Sequence, residues 1–251
     1  MCLVAVAWRA RDDLPLVVAA NRDEWRERPA QPAHWWPDHP GILAGRDLRA
    51  GGTWMGVTRA GRFAAVTNFR DPSDNRAAAK SRGGLVSGFL LAAVSPAAFL
   101  ASLASRASDY NGFNLLLGDG RELWYYSSRE GEERAIEPGV HALSNHLLDE
   151  PWPKVVRARE AMRRAIGEGD PAPTLFELLA DTAGAPDEAL PDTGVGLDWE
   201  RRLASPLITG ADYGTRASTV LCVGADGNVR FEERTREPDG AVAAIVREHF
   251  A

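Results

Sequence analysis

The chain has 251 residues, of which 29 are basic and 35 are acidic, so its formal charge is −6, and 45% of its residues are hydrophobic. These proportions are typical of a soluble globular protein, and a chain of this length buries a full core without disulfides or metals. The mild acidic balance, with no block of basic residues, argues against a nucleic-acid partner, because binding a phosphate backbone needs clustered positive charge.

The N-terminal third predicts strands joined by tight turns. Residues 2–8 and 16–20 are apolar runs on either side of the polar residues 11–13, which predicts a β-hairpin. Since both runs are almost continuously apolar, we expect other layers to cover both of their faces. Further strands are predicted at 53–58 and 63–69. The first residues lack the basic start and long apolar stretch of a signal peptide, so we expect a cytoplasmic protein.

Helical periodicity follows at residues 84–94 and 96–105, with Ser95 as the N-cap and Pro96 in the first turn of the second helix. This region contains the most apolar window of the chain, 85–101. Polar residues and Pro96 interrupt that window, so it predicts two short helices and no membrane span.

The second half of the chain alternates strands and helices. Residues 184–214, rich in Gly, Pro and Asp, resist assignment and predict either a linker or a functional loop or lid. The other predicted elements are strands at 113–117, 123–127 and 141–144, helices at 152–166 and 174–181, a hairpin of 218–223 with 229–233, and a closing helix at 240–250.

Runs of strands separated by runs of helices indicate the α+β class. The apolar character of both faces of the strands favours a four-layer αββα sandwich over a two-layer one, although periodicity alone leaves other α+β folds open. We expect one domain over residues 1–251, with a functional loop at 184–214.

Cys2 is the first candidate for catalysis. Because its side chain is small, an aminopeptidase is expected to remove Met1 and leave a thiol and a free α-amine on one residue. The amine, with an ordinary pKa of about 7.7–8.0, can take the proton of a thiol whose ordinary pKa is about 8.5. A nucleophile that carries its own base is an established catalytic arrangement. The alternative is a small residue that starts a buried strand.

A polar cluster, Asn21-Arg22-Asp23-Glu24, closes the second strand of the hairpin that Cys2 opens. The two ends of a short hairpin lie side by side, so we expect this cluster near Cys2. A carboxylate there could hold the ammonium or the thiol, and an arginine would favour the thiolate. The alternative is a solvated charged turn.

The N-R-D-E segment after an N-terminal Met-Cys hairpin resembles the NRDE family, also called the transport and Golgi organisation protein 2 family. Further blocks similar to those of the family follow in the family's order and cover nearly the whole chain. They are AGGTWMG (50–56), TNFR (67–70), LSN (143–145), PWPK (151–154), LPDTG (190–194) and YGTRASTV (213–220).

The resemblance implies a branch of the N-terminal-nucleophile hydrolases with an αββα fold, similar to the penicillin V acylase and bile salt hydrolase group. It implies that Cys2 is the nucleophile and, through its amine, the base, and that Asp23 orients it. Asn21 or Arg22 takes the place of that group's arginine near the thiol. Donors to the carbonyl oxygen, on which acyl transfer develops negative charge, and a nearby positive charge come from Asn68, Asn145 and Arg216. Without the resemblance, both asparagines would be interpreted as turn residues.

The order of Arg22 and Asp23 departs from the related acylases, in which two residues separate the arginine from the aspartate. Here the two are adjacent, and adjacent side chains of a strand point to opposite faces. Both cannot face Cys2 unless a bulge or turn intervenes. We expect Asp23 to be the inward group, with Asn21 sharing its face.

Other chemistry is not indicated. The five histidines show no metal-binding pattern and the glycines form no phosphate loop, so we expect no cofactor and no metal. Two cysteines do not make a disulfide framework, and Cys222 lies in an apolar run that predicts a core residue. The eight tryptophans favour core packing over an apolar acyl pocket.

Three functions remain. The first is an N-terminal cysteine hydrolase or acyltransferase that acts on the C–N amide or thioester bond of a small acyl substrate. The second is a binding or trafficking protein for haem or for acyl and lipid ligands, in which Cys2 or a histidine could ligate haem iron. This hypothesis arises because members of the family are implicated in secretory organisation, lipid metabolism and haem handling. In the third, Cys2 and its polar neighbours only stabilise the hairpin.

Overall fold

The structure is a computed structural model that describes residues 2–251, so the expected removal of Met1 falls on a residue outside this range. The strands are β1 (Cys2–Trp8), β2 (Leu16–Trp25), β3 (Ala30–Trp36), β4 (His39–Asp47), β5 (Met55–Thr58), β6 (Phe63–Asn68), β7 (Phe113–Gly118), β8 (Leu123–Ser127), β9 (Glu133–Ala135), β10 (Gly139–Leu143), β11 (Tyr213–Val223), β12 (Val229–Arg236) and β13 (Val242–Phe250). The helices are α1 (Gly83–Leu91), α2 (Pro96–Leu103), α3 (Pro153–Ala165), α4 (Ala172–Leu179) and α5 (Leu197–Leu203), with 3₁₀ turns at Pro72–Asp74, Ala104–Asp109 and Asp187–Ala189.

The strands form two antiparallel sheets. The first sheet has the order β10-β1-β2-β11-β12-β13, and the second has the order β3-β4-β5-β6-β7-β8-β9. A hydrophobic cluster that includes Val4, Val18, Leu43 and Leu116 draws its members from both sheets. The two sheets therefore stack face to face around a shared core.

Helices cover the outer face of each sheet. Helices α3 and α4 pack on the first sheet through a cluster that includes Val17, Met162 and Phe176. Helices α1 and α2 pack on the second sheet through a cluster that includes Phe89 and Leu115. This order of layers confirms the predicted αββα sandwich of the α+β class, the architecture that the resemblance to N-terminal-nucleophile hydrolases implies.

The position of β1 between the two cores explains why its sequence is almost continuously apolar. Val4 and Val6 face the core between the sheets, whereas Leu3 and Ala5 face the helices. Successive side chains of a strand alternate between its faces, and here both faces are covered. Every residue of β1 is consequently buried, as the apolar run predicts.

The predicted helices before residue 184 correspond to α1–α4. Pro96 begins α2, and the Ser95 hydroxyl accepts a hydrogen bond from the Ala98 N–H at 3.2 Å, as expected for an N-cap. In the range 2–251, no helix has the length and apolar character needed to cross a membrane.

The predicted helix at 240–250 is wrong, because residues 242–250 form β13, antiparallel to β12. A short apolar run such as VAAIV (242–246) does not distinguish a helix from a strand. The backbone of β12 supplies hydrogen-bond partners, so sheet pairing decides the conformation. The sequence also missed β3 and β4, whose pairing has register shifts that interrupt the alternation of side chains.

The linker interpretation of residues 184–214 is wrong as well. The segment contains a 3₁₀ turn and α5, and Leu203, Ile208 and Tyr213 form a small buried cluster. The Leu207 N–H also donates to the Asp181 carbonyl at 2.8 Å, next to the end of α4. The segment therefore packs on the rest of the fold.

Candidate active site

Cys2 lies at one open end of the space between the two sheets. Val4 belongs to the shared core, whereas Cys2, two residues earlier on the same face, borders a cleft of about 690 Å³. Strands of the first sheet contribute Arg22 and Ala217 to the wall of the cleft, and the second sheet contributes Asn68. A volume of this size is typical of small-molecule sites.

The strand register aligns Cys2 with Arg22. Cys2 pairs with Arg22, Arg22 pairs with Ala217, and Ala217 pairs with Thr235. These four residues form one row across neighbouring strands on the face that borders the cleft. Arg22 is thus directly opposite Cys2, roughly 5 Å away in the adjacent strand.

Asn21 faces the opposite side of the sheet. Its buried side-chain amide donates to the carbonyls of Leu179 at 3.0 Å and Pro206 at 2.8 Å. Asn21 therefore holds the end of α4 and the 184–214 segment against β2. Between the two candidates for the position near the thiol, the structure brings Arg22 to the cleft and places Asn21 outside it.

Asp23 lies beside Cys2 in a buried polar environment, where its backbone N–H is hydrogen-bonded to the Cys2 thiol. Thr215 Oγ1 donates to Asp23 Oδ1 at 2.7 Å, and the Ile208 N–H donates to Thr215 Oγ1 at 2.9 Å. Burial raises the pKa of the Asp23 carboxyl, while the charge of Lys154 and the hydrogen bond from Thr215 oppose this rise. The chain of donors fixes the orientation of the carboxyl group.

The surroundings of the Cys2 thiol favour its protonated form. Burial raises its pKa above the ordinary value and the negative charge of Asp23 raises it further, whereas the positive charge of Arg22 lowers it. The thiolate is the nucleophilic form, so catalysis by Cys2 requires a base within reach.

A β-bulge brings Arg216 to the cleft. The register of β11 against β2 shifts between Thr215 and Ala217, so Arg216 is the extra residue, and such bulges re-aim side chains. Its guanidinium donates to the Trp25 carbonyl at 3.4 Å and to the Arg28 carbonyl. Burial lowers the pKa of this guanidinium. Arg216 is thus a partly desolvated positive charge on the wall that also carries Arg22.

Asn68 and Asn145 are joined by a hydrogen bond. The Asn145 amide donates to the Asn68 carbonyl at 2.9 Å, and the Arg70 N–H donates to the Asn145 carbonyl at 2.7 Å. The Ser144 hydroxyl donates to the Cys2 carbonyl at 3.2 Å. Asn68 lines the cleft, whereas Asn145 is fully buried outside its lining. The structure therefore brings Asn68 to the cleft, and Asn145 holds the backbone of Asn68 in place.

A buried ion pair links the 184–214 segment to the end of β6. Arg70 Nη1 and Glu200 Oε2 are 2.5 Å apart, and each side chain is only 3% exposed. Thr193 donates to the other Glu200 oxygen through its N–H at 3.0 Å and its hydroxyl at 2.5 Å. Sequence reasoning missed this pair, although Arg70 stands in the TNFR block and Thr193 in the LPDTG block.

Lys154, in the first turn of α3, was also missed. It is 2% exposed, and its Nζ has no hydrogen-bond partner among the described residues. Burial and then the charge of Arg70 lower its pKa to about 8, while the charges of Asp23 and Cys2 oppose this shift. A lysine in an amphipathic helix is usually solvated, so only its place in the PWPK block could have indicated otherwise.

Arg82 is a further cleft residue that the sequence did not reveal. It directly precedes α1, and its Nη1 donates to the Gly112 carbonyl at 3.0 Å. Burial lowers the pKa of the guanidinium, and the charges of Glu24 and Cys2 act on it in the opposite direction. Arg82 is therefore close enough to Cys2 for the two charges to interact.

Within residues 2–251, no group of three or more histidine, cysteine or carboxylate side chains could hold a metal ion. Cys222 is buried in the core, as predicted, and burial raises the pKa of its thiol to about 11.

Comparison with known proteins gives the family of the chain. The family model described as Transport and Golgi organisation 2 matches residues 1–238. The chain belongs to this family. The resemblance read from the N-R-D-E segment and the later blocks is thereby confirmed.

Two curated relatives and one solved structure illustrate the similarity. A Transport and Golgi organization protein 2 homolog from Bos taurus is 37% identical over 240 residues, which cover 88% of this chain and 86% of that protein. The Homo sapiens homolog is 34% identical over 238 residues, with the same coverage of 88% and 86%. A mutant conjugated bile acid hydrolase from Clostridium perfringens matches with a TM-score of 0.47 and 10% identity, covering 98% of this chain and 92% of that one.

Proposed function

We propose that this protein is an N-terminal cysteine hydrolase or acyltransferase that acts on an amide or thioester carbonyl of a small acyl substrate. One observation carries the proposal: the Cys2 thiol borders a cleft of small-molecule size and lies beside the buried carboxyl group of Asp23. Removal of Met1 creates an α-amine on Cys2 itself, which is the base that the protonated thiol requires.

The proposed reaction has two acyl-transfer steps. The Cys2 amine takes the thiol proton, and the sulfur attacks the substrate carbonyl carbon to form a tetrahedral oxyanion. As this intermediate collapses, the C–N or C–S bond breaks, and the leaving group takes the proton from the Cys2 ammonium. Water then loses a proton to the amine and attacks the thioester, releasing the acid and restoring the thiol. An amine or alcohol in place of water makes the protein an acyltransferase.

The cleft supplies groups that favour negative charge on the carbonyl oxygen. We assign Asn68 as the side-chain donor, because it lines the cleft and Asn145 holds its backbone. Arg22 and Arg216 add positive charge on the opposite wall. Loss of one preorganised donor costs about 3–4 kcal/mol of transition-state stabilisation, or 10²–10³ in rate.

Asp23 orients the reacting residue in this proposal. Its carboxyl group is held by Thr215, and its position beside Cys2 suits a hydrogen bond from the α-amine. The free thiols of Cys2 and Cys222 favour a reducing, cytoplasmic environment, and we keep one domain over residues 1–251 as part of the proposal.

Replacement of Cys2 by alanine tests the proposal. Turnover of chromogenic amides and thioesters, screened with the wild type, should disappear in Cys2→Ala, whereas the matched Cys222→Ala variant should retain it. Circular dichroism and thermal unfolding establish that both variants fold. Turnover that survives in Cys2→Ala would contradict the proposal. A wild type that binds acyl ligands without turning any over is the result that the binding and trafficking hypothesis predicts.

A further inference from the structure

The cleft beside Cys2 is positively charged, although the chain as a whole carries −6. Ten basic side chains line it against five acidic ones. Five of the basic residues form ion pairs with nearby carboxylates: Arg22 with Glu24, Arg28 with Asp47, Arg46 with Asp38, Arg76 with Asp74 and Lys80 with Asp109. The excess charge therefore belongs to the remaining arginines.

Arg82 and Arg216 are the two of these whose setting points to a ligand near the thiol. Both are partly buried, and burial lowers the pKa of each guanidinium. Among residues 2–251, their hydrogen-bond acceptors are backbone carbonyls and neither forms an ion pair. Carbonyls fix the position of a guanidinium but supply no counter-charge. Glu24 attracts both guanidinium groups without forming an ion pair with either, and a buried charge without a paired counter-ion is costly.

Arg236 is another buried arginine in the lining of the cleft. Its side chain is 6% exposed and donates to the Ser218 hydroxyl at 2.9 Å and the Gly240 carbonyl at 3.0 Å. Its Nη2 has no hydrogen-bond partner in the part of the chain that the structure describes. A buried donor of this kind calls for an acceptor from a ligand or a water molecule.

We infer that the cleft selects acyl substrates that carry an anionic group, a carboxylate or a phosphate, and that Arg82 and Arg216 bind this group beside Cys2. The inference rests on the proposed function, because it names the substrate class of the same site. Glu24 forms an ion pair with Arg22 at 3.5 Å, whereas it acts on Arg82 and Arg216 only through longer-range attraction, so these two arginines are the ones available to the substrate. Guanidinium groups suit this task because their donors match the geometry of carboxylate and phosphate oxygens.

Two alkylating reagents of similar size, one anionic and one neutral, test the inference. Iodoacetate carries a carboxylate and iodoacetamide is neutral, and peptide mass spectrometry reports the labelling rate at Cys2 alone. We expect the iodoacetate-to-iodoacetamide rate ratio to exceed the ratio for free cysteine by about tenfold or more. Arg82→Gln should lose most of this preference and Arg82→Lys should keep it. The control Arg163→Gln removes the same charge from an exposed position on α3 and should leave the ratio unchanged.

Inorganic phosphate provides a second readout that does not depend on the thiol. At constant ionic strength it should raise the Tm of the Cys2→Ala protein, and adding Arg82→Gln should abolish the rise. A reactive Cys2 without charge preference, together with no phosphate effect, would overturn the inference and leave the proposed function standing. A Cys2 that is inert to both reagents would contradict the proposed function, and the phosphate measurement would then decide the inference by itself.

Discussion

Lys154 carries a charge in the interior close to Cys2 and Asp23, and Arg70 places a second positive charge nearby. A buried cation without a hydrogen-bond partner destabilises a fold, and replacing buried charges by apolar side chains of similar volume is often stabilising. The same charge favours the ionised forms of Asp23 and the Cys2 thiol. Lys154 is therefore a residue at which stability and reactivity oppose each other.

Lys154→Met should raise the free energy of unfolding at pH 7 by about 1–3 kcal/mol and slow the alkylation of Cys2. In the wild type the pKa of Lys154 falls from 10.5 to about 8 on folding. Between these pH values the unfolded chain binds more protons, so wild-type stability should gain from this group as pH rises from 8 to 10.5. Urea unfolding of the wild type and the variant at several pH values measures the stability change and its pH dependence. Peptide mass spectrometry measures the alkylation rate of Cys2. Arg163→Met, which removes a positive charge from an exposed position of the same helix, is the control. Equal effects of the two substitutions would contradict the prediction.

The position of a residue near Cys2 could be predicted where two chain ends meet in a hairpin, and could not be predicted where the strand register decides. The hairpin argument correctly placed the N-R-D-E segment beside Cys2, because the two ends of a hairpin meet. Which of Asn21 and Arg22 shares a face with Cys2 depends on the exact pairing, and a shift of one residue reverses every face. Arg82 carries no local signal, since it reaches the cleft only through the packing of α1 on the second sheet.

Three chain segments of different origin meet at Cys2. The start of β1 and the end of β2 come from the first sheet, and the end of β6 comes from the second. Residues 144–145 join them, because Ser144 bonds to the Cys2 carbonyl and Asn145 bonds to Asn68. The site is thus held by side chains that donate to backbone carbonyls, within the first sheet at Cys2 and between the two sheets at Asn68.

Gly52 is the point at which the loop before β5 passes the first turn of α1. A Cβ at this position would lie 2.5 Å from the Gly83 carbonyl carbon, a backbone atom that cannot rotate away. Gly52→Ala should therefore lower the free energy of unfolding by about 1–3 kcal/mol, as overpacking does. Gly41→Ala is the matched control, because nothing lies within 4 Å of its added Cβ. Chemical denaturation compares the two, and a Gly52→Ala protein as stable as Gly41→Ala would refute this account of the contact.

Element types were predictable where a pattern is long and were not predictable where tertiary pairing decides. The helix over 153–165 has clear amphipathic periodicity, and the hairpin of β11 and β12 has a turn sequence. Strand β13 and the bulged β3–β4 pair depend on neighbouring strands for their conformation. Helix α5 has seven residues and is anchored by the Arg70–Glu200 pair, which joins groups 130 positions apart in the chain.

At the scale of the whole molecule, the sandwich is closed by side chains that reach across from sheet to sheet. The Ala33 N–H donates to Glu233 Oε1 at 2.6 Å, and the rings of Trp35 and Phe250 stand 4.8 Å apart. At the end where Cys2 begins β1, the cleft takes the place of this packing. The four layers could be predicted from the sequence, because strands that are apolar on both faces need other layers to cover both faces. The cleft also depends on Arg82, which precedes α1, and on Arg216 in the bulge of β11, and neither position has a periodic signature.

The pH dependence of Cys2 alkylation by iodoacetamide, followed by intact-mass and peptide mass spectrometry, tests most directly whether Cys2 is an activated N-terminal nucleophile. We expect Met1 to be absent from the expressed protein and the labelling rate to rise with a midpoint near pH 8, where the α-amine loses its proton. A form with an N-terminal extension, whose Cys2 nitrogen lies in a peptide bond, should label only at higher pH, because burial raises the pKa of the thiol. Retention of Met1, or the same pH dependence in both forms, would contradict the claim.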